Sequence, residues 1–183
     1  MKDHINVRLC RYNEAEKIQN LTDEVMEKLR SQGKDTYFGG VSRSAAECCM
    51  RDPSFIIGVF GEDNEELLGY CLCEQMTNEA VTERYMNAFE LPRSAKPFVW
   101  ILNGMAVKPS AQNLGISSLL FVNLMAALSA KGTEQYLMGT VHPDNQKMLY
   151  HLDKCKAEYG EIFTHKISRG ELPRRRFCVR VRI

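Results

Sequence analysis

Residues 98–107 (FVWILNGMAV) are the most apolar stretch of the chain. They run through a short polar turn at 109–112 into a long amphipathic segment at 114–131, which stops at Gly132. The apolar run reads as a central, buried strand, and the segment after it as a helix with one face to cover. Gly132 is the expected C-cap. A buried strand that feeds directly into a helix points to a layered α/β architecture, with the strand inside a sheet and helices packed on it.

The flanking sequence extends this frame. Alternation at 5–10 (INVRLC) predicts a half-buried first strand, and Asn13 is the expected cap of a helix carrying Ile18, Leu21, Val25 and Leu29. A second short helix is predicted at 42–50, ended by the Asp52-Pro53 turn. Residues 54–60 (SFIIGVF) and 67–75 (LLGYCLCEQ) read as a hairpin around the acidic turn 61–66. Residues 78–96 are polar and aperiodic apart from a short helix around 83–89, which predicts a variable surface insertion that helps form a substrate site. Residues 135–141 form another buried strand, 145–154 a helix, and 177–183 a closing strand. In that last strand Phe177, Val179, Val181 and Ile183 share one face, and Cys178, Arg180 and Arg182 the other. The order β-α-α-β-β-β-α-β-α-β, without linker or repeat, predicts a single α/β domain over 1–183, one mixed sheet with helices on both faces.

Composition narrows the function classes. The chain has 183 residues, 44% of them apolar, with 24 basic against 23 acidic side chains. That balance argues against generic nucleic-acid binding, which favours an excess of basic charge. No apolar run is long enough for a membrane span and no leader pattern is visible, so no membrane association is expected. Seven cysteines, an odd number without a CxxC pair, read as reduced thiols of a cytoplasmic protein. His151 and Cys155, at i and i+4, read as unrelated helix residues, and no metal site is expected.

The chemistry-bearing segment is 105–118 (MAVKPSAQNLGISS). The first turn of a helix leaves backbone N–H groups without intrahelical partners, and the helix dipole adds partial positive charge there. A phosphate suits both. Gly115 admits close approach of a bulky ligand, Ser117 and Ser118 add hydroxyls, Gln112 adds an amide, and no acidic residue lies between Val107 and Ser129. An ordinary strand–turn–helix is the competing reading. Neither a nucleotide phosphate loop nor a dinucleotide fingerprint is present.

The segment resembles the main coenzyme A motif of the GNAT (Gcn5-related) N-acetyltransferases: Gln or Arg, two residues, Gly, one residue, then Gly or Ala. Here it reads Gln112-Asn113-Leu114-Gly115-Ile116-Ser117, with Ser in the last place. Met105-Ala-Val-Lys-Pro109 is similar to the family's strand ending, and Val141-His-Pro-Asp-Asn145 to its second cofactor motif. The element order is also that of the family. The resemblance implies a single-domain GNAT fold, a mostly antiparallel sheet of six to seven strands, and an acyl-CoA-dependent N-acetyltransferase. Its cosubstrate would be acetyl-CoA, and no metal is implied. It further implies cofactor contacts at Met105, Ala106, Val107, Gln112, Asn113, Leu114, Gly115, Ile116, Ser117, Ser118 and Asn145. The acceptor would be a primary amine of a small molecule or protein, attacking the thioester directly in a ternary complex.

The catalytic groups are less defined. Relatives often carry a carboxylate where Asn103 stands; Asn is no base, but it can orient a substrate or water. Glu74 is the nearest carboxylate, otherwise a solvated strand-end acid. Relatives place a general-acid Tyr at the position of Leu152. Tyr150 lies two residues earlier, about 160° away around a helix, and is the candidate acid. Arg174, Arg175 and Arg176 read as a solvated approach to the last strand rather than contacts for an acidic ligand. His142 reads as a strand-end residue and Trp100 as core. A non-catalytic module of the same fold, holding coenzyme A or a metabolite, is the alternative function; a protein-interaction domain without the cofactor is a third. The oligomeric state, monomer or homodimer, is not encoded in any motif.

Overall fold

The computed structural model describes residues 5–34, 37–51, 53–62, 65–76, 78–167 and 170–182. It holds a seven-stranded sheet in the order β1-β2-β3-β4-β5-β7-β6. The chain divides into two compact units, Met1–Glu74 with Asn103–Ala127, and Gln75–Leu102 with Leu128–Ile183. Strand β4 (Val99–Val107) belongs to both.

The first unit carries β1 (Asn6–Leu9), α1 (Ala15–Ser31), α2 (Arg43–Cys49), β2 (Phe55–Phe60), β3 (Leu67–Gln75) up to Glu74, and α4 (Ile116–Ser129) up to Ala127. β1 pairs antiparallel with β2 from Asn6↔Phe60 to Leu9↔Ile57, and β2 with β3 from Phe55↔Cys73 to Phe60↔Leu67. Just beyond β4, the Lys108 N–H donates to Leu68 O at 2.8 Å. Ile18, Leu21 and Val25 of α1, Ala46 and Cys49 of α2, and Ile56, Phe60, Tyr70, Leu72 and Ala106 of the strands form one core cluster. Burying those apolar side chains is the main term holding the helices to the strands. Inside the core the Thr22 and Tyr70 hydroxyls, 2.7 Å apart, satisfy each other.

The helix starts refine the sequence reading. Ser42 caps α2 by accepting the Ala45 N–H at 3.2 Å. Asn13 does not cap α1. A short 3-10 turn (Tyr12–Glu14) precedes the helix, and it is Glu14 that accepts the Arg11 N–H, at 2.7 Å. The Asp52 part of the expected turn, and Asp63 and Asn64 of the hairpin loop, lie outside the described residues.

Glu14 is only 6% exposed and also takes two hydrogen bonds from Arg8, at 2.8 and 2.6 Å, while the guanidinium lies 3.7 Å from the Phe60 ring centroid. Hydrogen bonding by Arg8 holds the Glu14 carboxyl below its ordinary range, against the opposing effect of burial. A depressed carboxyl adds stability that is complete above the ordinary carboxylate range and is lost as pH falls through the lowered value. Glu14→Ala strands the Arg8 charge and is expected to cost about 3 kcal/mol at neutral pH. Chemical denaturation across pH checks both: the wild-type stability falls on the acid side, and the variant's falls less.

The second unit carries α3 (Glu79–Ala88), the start of β4, β5 (Gln135–Val141), α5 (Gln146–Lys154), β6 (Glu158–Ile167) and β7 (Gly170–Val181). β4 and β5 pair in parallel over Val99↔Tyr136, Trp100↔Leu137 and Ile101↔Met138. β5 pairs antiparallel with β7 from Gln135↔Val181 to Val141↔Arg175, and β6 with β7 from Glu158↔Cys178 to Ile167↔Gly170. Trp100 is core as expected, 1% exposed, with its indole N–H donating to Gln135 at 2.8 Å. Gly132, at φ +74°, ends α4 as expected.

Two expectations change here. Residues 78–96 are not a surface insertion throughout: Met86, Phe89, Leu91 and Ala95 are buried and join Val99, Ile101, Tyr136, Met138 and Cys178 in one cluster. Thr82, Met86 and Phe89 recur at i, i+4 and i+7, a narrow stripe that the surrounding charges obscure. The last strand is longer than 177–183 and is preceded by β6, a strand not expected from the local pattern. Cys178, on the face opposite Phe177 and Val179, is fully buried because it packs into the apolar cluster with Met86, Phe89 and Met138; Ile183 lies outside the described residues.

Cys10, Cys49, Cys71, Cys73 and Cys178 are buried thiols. Burial pushes Cys10, Cys71 and Cys178 up to about 12, so they pack as small apolar groups. No helix among the described residues is long and apolar enough to cross a membrane.

Candidate active site

On β4, Gly104 and Ala106 are buried, whereas Asn103 is exposed and Met105 and Val107 are half-buried. The buried face is tightly packed: a Cβ on Gly104 would stand 2.7 Å from Val41 Cγ2. The opposite face, with Asn103, Met105 and Val107, is the more open one. β4 continues to Val107, past the last β5 pair at Ile101↔Met138.

A 3-10 turn (Pro109–Ala111) follows β4, with Ala111 buried as its anchor. The chain then passes through two left-handed residues, Asn113 at φ +70° and Gly115 at φ +80°, before α4. Asn tolerates that region and Gly prefers it. Among the described residues nothing lies within 4 Å of where a Gly115 Cβ would be. Glycine is therefore required by the backbone turn, and the space beside it is open. Asn113, Leu114, Gly115 and Ser118 are exposed, Gln112 and Ser117 half-buried. Ile116 is 1% exposed, so it and Ala106 can meet a ligand only through backbone groups.

Leu119 N–H donates to Gly115 O at 3.0 Å, the first turn of α4. The N–H groups of Ile116, Ser117 and Ser118 stand ahead of that bond, at the positive end of the helix dipole. No acidic side chain occupies the first turn. Successive left-handed and helical residues also turn backbone N–H groups into a concave nest suited to an anion. Lys108 is engaged elsewhere: Glu66 accepts from its ammonium and raises its pKa.

The start of α4 is seated on β3 at Gly69. A Cβ there would lie 2.8 Å from Ile116 Cγ2, 3.0 Å from Ala106 O and 3.3 Å from Leu120 Cδ1. Glycine thus lets the helix approach the strand. Gly69→Val is expected to cost about 2 kcal/mol by overpacking, read as a lower denaturation midpoint, and to weaken binding at the displaced helix start.

Asn103 and Glu74 are brought together: the Asn103 amide donates to Glu74 Oε2 at 3.1 Å. The carboxylate that looked like a solvated strand end is half-buried and oriented.

The element order, the exposed Gly-containing turn and the unopposed start of α4 find their match in sequence. Residues 17–153 match the Acetyltransferase (GNAT) family. The chain belongs to that family. Solved GNAT structures share its fold at low identity. The ribosomal-protein-S18-alanine N-acetyltransferase from Escherichia coli is 9% identical with a TM-score of 0.70, covering 98% of this chain and 96% of that one. A GNAT-family acetyltransferase from Streptococcus pneumoniae is 12% identical, TM-score 0.71, covering 97% and 99%. A phosphinothricin acetyltransferase from Sinorhizobium meliloti, solved in complex with acetyl-CoA, is 12% identical, TM-score 0.69, covering 100% and 90%. No curated protein matches by sequence.

The remaining candidates lie on α5 and its approach. Asn145 caps α5 by accepting the Met148 N–H at 3.2 Å. Leu152, at the place of the GNAT tyrosine, is fully buried. Tyr150 is 57% exposed, edge-on to His151 with ring centroids 5.6 Å apart, and Lys154 Nζ lies 5.3 Å from its ring centroid. His142 is buried; its Nδ1 accepts the Asp144 N–H at 3.1 Å. Desolvation lowers its pKa, only partly opposed by Asp144, so the ring is neutral at pH 7. Among the described residues no group of three or more His, Cys, Asp or Glu is arranged to hold a metal.

Proposed function

We propose that this GNAT protein transfers acetyl from acetyl-CoA to a primary amine of a small molecule or protein, by direct attack in a ternary complex. The observation that carries the reading is the start of α4: left-handed Asn113 and Gly115, open space at the Gly115 Cβ position, and helix N–H groups without an acidic neighbour. Residues 112–118 hold the pyrophosphate through backbone N–H groups, with Gln112, Ser117 and Ser118 adding side-chain donors. The backbone of Met105, Ala106 and Val107, on the part of β4 beyond its β5 ladder, binds the pantetheine arm. A backbone N–H at Met105 faces the acetyl carbonyl and stabilises the oxyanion, a contribution of about 3 kcal/mol. Asn145 adds a cofactor contact that rests on the family resemblance. The reducing cytoplasm suits the buried thiols.

The amine must lose a proton to attack, and Glu74 is the group we assign to take it, directly or through one water, with Asn103 holding the carboxylate in place. Tyr150 is the candidate donor to the departing thiolate. Leu152 favours a second reading, a coenzyme A-binding module without turnover, since no hydroxyl stands at the family's acid position. Thiol release from acetyl-CoA, followed across a panel of amines beside a calorimetric titration of acetyl-CoA, separates them. Binding with turnover on at least one amine supports the transferase. Binding with no turnover supports the module, and no binding removes both.

A further inference from the structure

Arg174 of β7 is not the solvated strand approach expected from the sequence. It is 8% exposed, and its Nη1 is buried without a hydrogen-bond partner among the described residues. Arg175 and Arg176 lie against the rings of Tyr159 and Phe163, 4.5 and 4.1 Å from the centroids. A group of cations that a solute can reach lies elsewhere, in the first unit, around the start of α1. There Arg8, Arg11 and Lys17 line a cleft of about 390 Å³, with Glu14 and Glu65 beside them. Asn6 and Asn13, the residue that does not cap α1, complete the lining. A volume of this size suits a small metabolite.

The polar groups of this cleft are unevenly spent. Glu14 is buried and already accepts two hydrogen bonds from Arg8 and one from the Arg11 N–H. Arg8 uses three of its five N–H donors, two on Glu14 and one on Leu9 O. The Arg11 side chain is exposed and in no ion pair among the described residues. Lys17 donates to Glu65 O at 2.7 Å and to Glu65 Oε2 at 3.0 Å. The Glu65 side chain is 78% exposed, and an ion pair in that setting is weak. Hydrogen bonding to Glu14 is the main cause of the raised Arg8 pKa, and the Glu65 charge adds to it. An exposed carboxylate of the chain itself is thus held within electrostatic reach of two of the cleft's three cations. What remains unspent in the lining is mostly donor capacity.

We propose that this cleft binds a phosphate dianion, as inorganic phosphate or as the phosphate of a small phosphomonoester, and that Glu65 is its exchangeable stand-in. With Glu65 displaced, Arg8, Arg11 and Lys17 face Glu14 alone, a net charge of +2. A phosphomonoester carries about −2 at neutral pH and neutralises it. Its oxygens only accept, which suits the unspent guanidinium and ammonium donors, and it has more of them than a monocarboxylate has. Glu66, the next residue, pairs with Lys108, so the hairpin turn stays anchored when Glu65 leaves. The site does not depend on the acyltransferase reading above. The phosphates of acetyl-CoA are a further source of the same chemistry, and the test separates them.

Glycerol 3-phosphate, inorganic phosphate and acetate are titrated calorimetrically into the full chain at constant ionic strength. Three variants at exposed positions accompany wild type, so the fold is not at stake. Arg11→Ala is expected to bind either phosphate about tenfold more weakly. Glu65→Ala removes the competing carboxylate and is expected to bind about threefold more tightly. Arg30→Ala, about 20 Å along α1 from Lys17, is expected to stay within about twofold of wild type. Tighter binding of the ester assigns the site to a phosphorylated metabolite, equal binding assigns it to free phosphate, and either result upholds the dianion site. No heat from either phosphate in both wild type and Glu65→Ala overturns it. So does acetate binding as tightly as phosphate, or a loss in Arg30→Ala equal to that in Arg11→Ala, which reports diffuse surface charge. A Glu65→Ala affinity no better than wild type overturns the stand-in role. If saturating acetyl-CoA blocks the ester and Arg11→Ala weakens acetyl-CoA by the same tenfold, the cleft serves the cofactor and the proposal falls.

Discussion

Gly115→Glu is expected to abolish acetyl-CoA binding. Two effects combine. A side chain at φ +80° costs about 1–2 kcal/mol of backbone strain, and the new carboxylate would occupy the open space beside the helix N–H groups proposed to hold the pyrophosphate. Gly115→Ala separates them, since it carries the strain without the charge. Alanine is expected to lower stability by about 1 kcal/mol while retaining measurable binding, and glutamate to remove binding altogether. At 100 times Kd the cofactor stabilises the wild-type protein by about 2.7 kcal/mol, an increase of about 5–10 °C in melting temperature for a chain of this size. The glutamate variant should show none. Binding by Gly115→Glu as tight as the parent's would sink the cofactor site, because only here among the described residues does a left-handed glycine stand directly before an acid-free helix start.

Removal of the Glu74 carboxylate is the second large effect. Glu74→Gln keeps the size of the side chain and its neighbour Asn103, but it cannot accept the proton of an ammonium nucleophile. We expect kcat/KM for the amine to fall by about 100-fold, with acetyl-CoA affinity within about twofold of wild type. Asn103→Ala leaves the carboxylate but frees it to swing, so its loss should be nearer tenfold. Raising the pH should recover part of the Glu74→Gln deficit, because solution base then supplies the neutral amine. A variant with unchanged kcat/KM at neutral pH would move the proton-accepting role elsewhere.

The central elements were legible because their signals are local. β3 and β5 appear with the boundaries their apolar runs suggest, and α4 lies within the predicted helix, ended by Gly132. The local geometry of the proposed cofactor site was legible for the same reason, since a turn, a glycine and an acid-free helix start are adjacent in the chain. β6 carries no such signal. Its register shifts between Tyr159 and Ile162, which breaks the two-residue period, and as an edge strand much of it is exposed. The α3 stripe of Thr82, Met86 and Phe89 was hidden by charges on its other faces. Glu74 with Asn103 was harder still: the residues lie far apart in sequence, and only strand pairing makes them neighbours. Arg174 shows the same limit, since three identical residues in a row look alike until the strands around them are in place.

The close seat of α4 on β3 has an evolutionary corollary. Gly69 and Ile116 compete for one volume, with 2.8 Å between the Ile116 Cγ2 and the position a Cβ would take. A chain that acquires alanine at 69 should therefore tolerate it best after losing the Cγ2 branch at 116, and homologues with a larger residue at 69 are expected to carry a side chain at 116 that is not branched at Cβ. Gly69→Ala with Ile116→Leu is the laboratory version, since leucine lacks the Cγ2 that the new Cβ meets. The double variant should be more stable than Gly69→Ala alone, which would make a residue with no ligand contact a partner in setting where the turn proposed to bind phosphate can stand.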